Sequence, residues 1–133
     1  MTADETATVH AAMPLCASLG IEAHRVDPTE VILSLEWQAR LCTSHGLLHG
    51  GALMALADAA GGACAFANLP AGATATTTIE SKTNLMGAVR QGFVTAHARP
   101  LHVGSTTIVV ETDLTNDGKL VAKTTQTQLV LRD

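Results

Sequence analysis

The sequence predicts a single α+β domain in which one long helix packs against an antiparallel sheet. Residues 51–67 contain eight alanines and no β-branched residue, a composition that strongly favours a helix. From residue 74 onward, the chain changes to β-branched residues interrupted by turn-forming segments, which is typical of consecutive strands. A sheet with one helix packed on a face is an α+β arrangement.

The chain is predicted to begin with a tail and a short helix. Residues 1–9 are acidic and rich in Thr and Ala, so we expect a disordered tail there and a single domain over residues 10–133. Residues 10–19 can form a short helix, because Pro14 is tolerated in its first turn and Gly20 can end it.

A hairpin, a loop and the long helix are predicted next. Strands over residues 21–26 and 30–37 are joined by the turn Asp27-Pro28-Thr29. Residues 38–48 are predicted to form a loop. The helix over residues 51–67 is apolar nearly all round, so we expect it to be buried rather than to lie on a surface.

Four strands are predicted after the helix. Each is rich in β-branched residues, and each connection between them contains glycine. The last connection, Asn116-Asp117-Gly118, has the composition of a tight hairpin turn. We expect the strands over residues 74–85, 93–100, 106–114 and 120–131.

The composition argues against several classes of function. A formal net charge of −4 disfavours binding to a nucleic-acid backbone. Trp37, Phe66 and Phe93 are too few aromatic residues for a surface that stacks single-stranded bases. No apolar run approaches the roughly 20 residues that span a membrane, and the first residues do not resemble a signal peptide. We therefore expect a cytoplasmic protein without nucleic-acid or membrane partners.

The cysteines are expected to be free thiols. Cys16, Cys42 and Cys64 cannot all pair within one chain, and none lies in a CxxC pair. Cys42, His45 and His49 have a spacing that suggests metal ligands, but no fourth ligand is evident, so we expect neither a metal nor another cofactor. A nucleophilic role for Cys42 or Cys64 is disfavoured, because nothing in the sequence marks either thiol as activated.

The residues with the clearest chemical potential lie around the start of the long helix. His49, Gly50 and Gly51 precede an apolar run whose only charge is Asp58. Glycines that open a helix leave backbone N–H groups free to stabilise a developing negative charge. A carboxylate in apolar surroundings is costly unless it is paired, hydrogen-bonded or used in chemistry. These residues therefore predict an acyl-transfer site with an oxyanion hole and a carboxylate.

The spacing of these groups predicts a site shared between subunits. Gly50 and Asp58 are eight residues apart, about 12 Å along a helix, whereas both must lie roughly 3 Å from one reacting group. Two helices related by a two-fold axis can satisfy this, so a functional motif requires at least a homodimer. Gly61 and Gly62 either allow close approach of another backbone or a ligand, or are tolerated core positions.

The same residues resemble a known family. The segment Gly46-Leu47-Leu48-His49-Gly50-Gly51, with Asp58 nine positions after His49, is similar to the signature of hot-dog-fold acyl-CoA thioesterases of the phenylacetate-degradation (PaaI-like) type. Further similarity lies at residues 78–80, 88–92 and 118–122. The resemblance implies the hot-dog fold, in which a curved antiparallel β-sheet wraps around one long central helix.

The resemblance implies a role for each catalytic candidate. The Gly50 N–H would polarise the thioester carbonyl, and His49 would orient that turn. Asp58 of the other subunit would act as nucleophile or as general base on water. Thr78 aligns with a Ser/Thr position that helps hold the attacking water or the acyl group. Thr43 stands where relatives commonly have Asn or Gln in contact with the carbonyl region.

Further residues are candidates for binding the substrate. Arg90 and His102 are basic residues that could contact the phosphates of coenzyme A, and Gly51 and Met54 lie on the helix beside the site. An apolar acyl group suits the apolar side chains of the helix. The residues expected to line the acyl pocket are Leu53, Met54, Leu56 and the alanine-rich positions of the helix.

These observations together predict a thioester hydrolase. We expect a homodimer or a homotetramer built as a dimer of dimers, which cleaves an aryl- or medium-chain acyl-CoA to the free acid and CoA. Two alternatives stay open. Thr43 in the Asn/Gln position is compatible with a non-catalytic acyl-CoA-binding module. A hot-dog dehydratase or hydratase is disfavoured, because the proline-rich segment that these enzymes have around the histidine is missing.

Overall fold

The computed structural model describes residues 2–133, which form three helices and six strands joined by turns and loops. Two short 3₁₀ turns, Ala39–Leu41 and Ser44–Gly46, lie in the loop before the long helix. Among residues 2–133, no helix combines the length and apolar composition that a membrane crossing requires. The helices and strands are α1 (Ala3–Ala12), α2 (Pro14–Leu19), β1 (Glu22–Val26), β2 (Val31–Glu36), α3 (Gly50–Phe66), β3 (Ala75–Leu85), β4 (Phe93–Val103), β5 (Thr107–Asn116) and β6 (Lys119–Leu131).

The six strands form one curved antiparallel sheet that packs around α3. Its strand order is β1-β2-β4-β5-β6-β3, so β3 lies at one edge although it follows α3 in the chain. The helix contacts every strand from β2 to β3 across the sheet. Bulges in β1, β3, β4 and β6 interrupt the pairing and add to the local twist. This is the hot-dog fold, and it confirms the predicted α+β class.

One face of α3 packs into the core, and the opposite face is exposed. Leu56, Ala57 and Ala60 are fully buried, and their small or branched side chains let the sheet approach the helix closely. Met54 and Asp58 are exposed. The prediction that the helix is buried nearly all round is therefore wrong for a single chain, because the sheet covers only one side of it.

The N-terminal residues form a helix where a disordered tail is predicted. Met1 lies outside the described residues, but Ala3–Ala12 is helical. Val9 is buried in the core, and the Thr6 hydroxyl accepts a hydrogen bond of 2.9 Å from the Ala23 N–H of β1. Short helices gain most of their stability from such tertiary contacts, which local composition does not reveal.

The helix predicted over residues 10–19 is divided at Met13. Pro14 occupies the first position of α2, where its missing N–H costs nothing. Gly20 ends α2 in the left-handed conformation, with φ 74°, as expected. The predicted strands are confirmed with small changes at their ends. In the last hairpin, Asp117 and Gly118 both have positive φ, as a type I′ turn requires.

Candidate active site

His49 caps the start of α3 and leaves one backbone donor free. Its Nδ1 accepts a hydrogen bond of 2.8 Å from the Gly51 N–H, and its carbonyl accepts from the N–H groups of Ala52 and Leu53. The Gly50 N–H has no hydrogen-bond partner among residues 2–133. A free donor therefore remains at the positive end of the helix, which is what stabilisation of an oxyanion requires.

The capping bond also fixes the state of the His49 ring. Because Nδ1 accepts, the proton of the neutral imidazole is on Nε2, which can donate outward. A Cβ at Gly51 would lie 2.9 Å from His49 Nδ1, so only glycine leaves room for the ring. Gly51 is predicted to bind substrate. The structure gives a separate reason for glycine at this position, which is the space that the capping His49 ring occupies.

The loop before α3 places Thr43 near the same helix end. Cys42 and Leu48 form a β-bridge, and the Thr43 N–H donates to the Leu47 carbonyl at 2.8 Å, so the loop folds back on itself. The His49 N–H donates to the Leu41 carbonyl at 2.9 Å. Thr43 is exposed, and its hydroxyl makes no hydrogen bond to other described residues. The structure therefore brings Thr43 to the end of α3 that carries the free N–H.

Asp58 and Thr78 lie together further along the helix. Asp58 is two turns after Gly50 on the exposed face of α3, and the Thr78 Oγ1 lies 3.5 Å from Asp58 Oδ1. Thr78 comes immediately before the bulge in β3. Bulges often re-aim a side chain next to an active site. One chain therefore has the predicted donor at one end of α3 and the predicted carboxylate in its middle.

Two buried glutamines that were not predicted from the sequence lie behind Thr78. Gln128 Nε2 donates to Thr78 Oγ1 at 2.6 Å and to Gln126 Oε1 at 2.5 Å. Gln126 Nε2 donates to the Ala57 carbonyl at 3.3 Å. Successive side chains of a strand point to opposite faces, and both glutamines fall on the face of β6 that packs on the core. This two-residue spacing is the feature of the sequence from which they could have been found.

Gln126 accounts for one of the two adjacent glycines of α3. A Cβ at Gly61 would collide with the Gln126 side-chain amide, whereas a Cβ at Gly62 would meet nothing within 4 Å. The close neighbour of Gly61 is therefore a side chain of the same chain. Neither a partner backbone nor a ligand is needed to explain it.

An apolar pocket of about 170 Å³ adjoins Asp58. It lies between α2 and α3, and Cys16 is at its wall. The prediction that Leu53 and Leu56 line an acyl pocket is wrong, because these side chains are 3% and 0% exposed within the core. Met54 lies on the exposed face and is not part of this pocket. The apolar walls are formed by Met13, Leu15, Leu19, Ile21, Ala55 and Ala59.

Comparison with known proteins assigns the family. The sequence profile described as "Thioesterase superfamily" matches residues 45–123, a range that contains His49, Gly50, Asp58 and Thr78. The chain belongs to the thioesterase superfamily. It is a thioester hydrolase with the hot-dog fold.

Individual relatives agree with this assignment. The crystal structure of thioesterase HI1161 from Haemophilus influenzae matches with a TM-score of 0.88 and 26% identity, over 99% of this chain and 92% of that chain. A mutant of thioesterase PA1618 from Pseudomonas aeruginosa matches with a TM-score of 0.86 and 29% identity, over 95% and 93%. ComA2 of Bacillus subtilis, whose name describes it as an esterase, is 35% identical over 95 residues, which are 71% of this chain and 75% of ComA2.

The two basic residues of this thioesterase that are predicted to contact the phosphates of coenzyme A lie near opposite ends of β4. Arg90 follows Val89, whose carbonyl accepts from the Leu48 N–H at 2.9 Å, so Arg90 is close to the start of α3. His102 lies near the other end of β4, roughly 30 Å from Phe93 along an extended strand. Both are exposed. One chain therefore does not bring Arg90 and His102 to the same phosphate group.

The thiols of the thioesterase are not arranged as nucleophiles. All three cysteines are free. Burial raises the pKa of the Cys64 thiol to about 11, with a smaller contribution from Asp27. Burial, and then the negative charge of Asp58, raises the pKa of Cys16. Reactive cysteines have lowered pKa values instead. Across residues 2–133, no three His, Cys, Asp or Glu side chains are grouped as metal ligands.

Proposed function

We propose that this thioesterase hydrolyses acyl-CoA thioesters at sites that two subunits complete together. The observation that carries the proposal is the distribution of groups along α3. The unpartnered Gly50 N–H and the Asp58 carboxylate lie on one helix, about 12 Å apart along its axis. Because one reacting carbonyl must be close to both kinds of group, the donor of one subunit is paired with the carboxylate of the other.

The edge strand β3 supports a two-fold dimer. Every residue from Thr77 to Lys82 is exposed, including Ile79 at 57%. An exposed edge strand offers unpaired N–H and C=O groups to another strand. Pairing of β3 with β3 of a second copy would form a self-complementary contact. This contact would be next to Thr78 and Asp58, and a dimer of dimers would repeat it.

The proposed chemistry adds water across the C–S bond. The thioester carbonyl oxygen accepts from the Gly50 N–H, while the His49 Nε2–H is available beside it. Asp58 of the other subunit either removes a proton from the attacking water, or attacks the carbonyl carbon itself to form a mixed anhydride that water then hydrolyses. As the C–O bond forms, the C–S bond breaks, and the departing thiolate of CoA takes up a proton.

The pocket beside Asp58 supports an acyl group of about six carbons. An engineered protein cavity of about 150 Å³ holds one benzene molecule, and the pocket here is about 170 Å³. A phenyl ring or a chain of similar volume therefore fits. Most of the lining is aliphatic, and Asp58 is the one charged residue in it, so we propose an aryl- or medium-chain acyl-CoA as substrate.

Thiol release from a panel of acyl-CoA thioesters tests this function. We expect Asp58→Asn to lower kcat at least about 100-fold, as loss of a catalytic acid or base does. Asp117→Asn is the matched control, since it removes the same charge in a remote turn. A rate for Asp58→Asn equal to that of the wild type would exclude the catalytic role. Binding of acyl-CoA without turnover by the wild type would favour a non-catalytic module, for which Thr43 at the Asn/Gln position is the supporting observation.

Subunit mixing tests the shared site. Gly50→Pro removes the N–H donor, and Asp58→Asn removes the carboxylate. A mixed dimer of these two variants has one intact site if each site uses Gly50 of one chain and Asp58 of the other. We expect activity to return on mixing. The proposal would be wrong if dimers verified to contain both variants showed no activity. It would also be wrong if sedimentation showed that the active species is a monomer.

A further inference from the structure

A continuous chain of hydrogen bonds links the backbone of α3 to Asp58 through the core. Gln126 Nε2 donates to the Ala57 carbonyl, and Gln128 Nε2 donates to Gln126 Oε1 and to Thr78 Oγ1. The Thr78 hydroxyl lies 3.5 Å from Asp58 Oδ1. Gln126 and Gln128 are 0% and 2% exposed, so neither amide can exchange its partners for water.

The Ala57 carbonyl, at one end of this series of hydrogen bonds, fixes the direction of every bond in it. A backbone carbonyl can only accept, so Gln126 must present Nε2 to Ala57 and Oε1 to Gln128. Gln128 must then present its NH₂ group, whose second hydrogen goes to Thr78. Rotating either amide by 180° would place two acceptors against each other. The Thr78 hydroxyl therefore accepts from Gln128, and its own hydrogen is free to be donated.

We propose that Gln128 is a positioning residue for thioester hydrolysis, because it holds the Thr78 hydroxyl as a donor toward Asp58. This inference rests on the proposed catalytic role of Asp58. A donor at Oδ1 orients the carboxylate and leaves its second oxygen for the reacting water or carbonyl carbon. Distances between catalytic groups are often long without substrate and shorten when it binds, which fits the 3.5 Å contact.

The same geometry limits what Thr78 can do. A hydroxyl that already accepts from a buried amide has its hydrogen to offer, so Thr78 acts as a donor in the site. It can donate to Asp58 or to an oxygen of the substrate or water. Where water is the attacking group, its proton goes to the Asp58 carboxylate, because a neutral hydroxyl is too weak a base to take it.

A double-mutant cycle tests the role of Gln128. Gln128→Met replaces the amide with an apolar side chain of similar length that has no donor. We expect kcat to fall about tenfold with KM changed less than about twofold; tenfold corresponds to about 1.4 kcal/mol. Thr78→Val should cause a similar loss. Because both variants remove the same hydrogen bond toward Asp58, the double variant should lose no more than either single variant.

Thr124→Val is the matched control. Thr124 is equally buried on β6, and its hydroxyl lies 2.7 Å from that of Thr83 on β3. This control should lower stability and leave kcat unchanged. An unchanged kcat in folded Gln128→Met, or losses of Gln128→Met and Thr78→Val that multiply in the double variant, would overturn the proposal.

The side-chain amide signals in NMR spectra provide a readout that needs no activity. We expect slow hydrogen exchange of the Gln126 and Gln128 amides, and a shifted Gln128 signal in Thr78→Val, which changes an exposed residue and leaves the core intact. Fast exchange in the wild type, or an unmoved Gln128 signal, would contradict the network. An inactive wild type, or an active Asp58→Asn variant, would instead defeat the proposed function, and the two failures are therefore distinguishable.

Discussion

The side-chain amide of Gln126 fills the space that a Cβ on Gly61 would need. This contact brings β6 against α3 next to Asp58, and it permits the hydrogen bond from Gln126 to the Ala57 carbonyl. The neighbouring Gly62 lies on the outer side of the helix, where added atoms would meet nothing within 4 Å. The packing of the chain therefore requires a glycine at position 61, whereas nothing within 4 Å requires one at position 62.

Substituting the two glycines by alanine should change stability in opposite directions. We expect Gly61→Ala to lower the free energy of unfolding by about 1–3 kcal/mol, because the new methyl group collides with a buried amide. Gly62→Ala should raise it by up to about 1 kcal/mol through helix propensity. Urea unfolding at one protomer concentration measures both. A loss of stability in Gly62→Ala would reveal a partner subunit packed against that position.

The fold could be predicted because its signals are local. The alanine-rich composition of α3 and the turn at Asp117 and Gly118 each specify their structure within a few residues. The helix α1 was missed, because its stability comes from contacts of Val9 and Thr6 that only the folded chain makes.

The candidate site was predictable only in part, for the same reason. His49, Gly50 and Asp58 are close in sequence and carry a recognisable spacing. Gln128 is 50 residues from Thr78, and its bond to that hydroxyl depends on the pairing of β3 with β6. The pocket that we propose for the acyl group lies between α2 and α3, so no pattern within α3 alone could identify its walls.

The ion pairs of Asp113 should make stability depend on pH. Partial burial alone would raise the pKa of Asp113, but the pairs with Lys123 and Arg99, each at 3.1 Å, outweigh it and lower that pKa. A carboxyl group with a lowered pKa in the folded state stabilises the protein above its unfolded pKa of about 4. That contribution is lost as pH falls through the folded pKa.

Urea unfolding of Asp113→Asn between pH 7 and pH 3 measures this effect. We expect the variant to be less stable than the wild type at pH 7 by no more than about 1 kcal/mol, since the pair is partly exposed. The difference should shrink progressively as the pH falls below the unfolded pKa of about 4. Asp117→Asn, in an exposed turn, is the control without an ion pair among residues 2–133. A difference for Asp113→Asn that is as large at pH 3 as at pH 7 would contradict the assignment.

Filling the pocket beside Asp58 should shorten the preferred acyl group. Ala55 is at its wall, and Ala55→Leu adds three carbons to a space of about 170 Å³. Each methylene that the substrate can no longer bury costs about 0.8 kcal/mol. We expect kcat/KM for a six-carbon acyl-CoA to fall at least about tenfold, with little change for acetyl-CoA. Ala63→Leu, on the same helix outside the pocket, should not alter this selectivity. Equal losses for both acyl groups would place the acyl chain elsewhere.

The backbone donor at Gly50 can be removed without changing the helix. Gly50 is the first residue of α3, a position where proline is favoured, and His49 before it is extended with φ −62° and ψ 134°, as a residue before proline prefers. Gly50→Pro therefore deletes the N–H and retains the backbone path. Gly50→Ala is the matched control, because its Cβ meets only the flexible Cδ1 of Leu85 and its N–H remains.

We expect Gly50→Pro to lower kcat by about 100- to 1,000-fold, the loss that removal of one oxyanion donor causes. Gly50→Ala should retain most of the wild-type kcat, since side-chain movement of Leu85 can relieve the contact. Steady-state thiol release on both variants, with circular dichroism as a check of folding, makes the comparison. If Gly50→Ala lost as much activity as Gly50→Pro, the space at this position and not the N–H would be what catalysis requires.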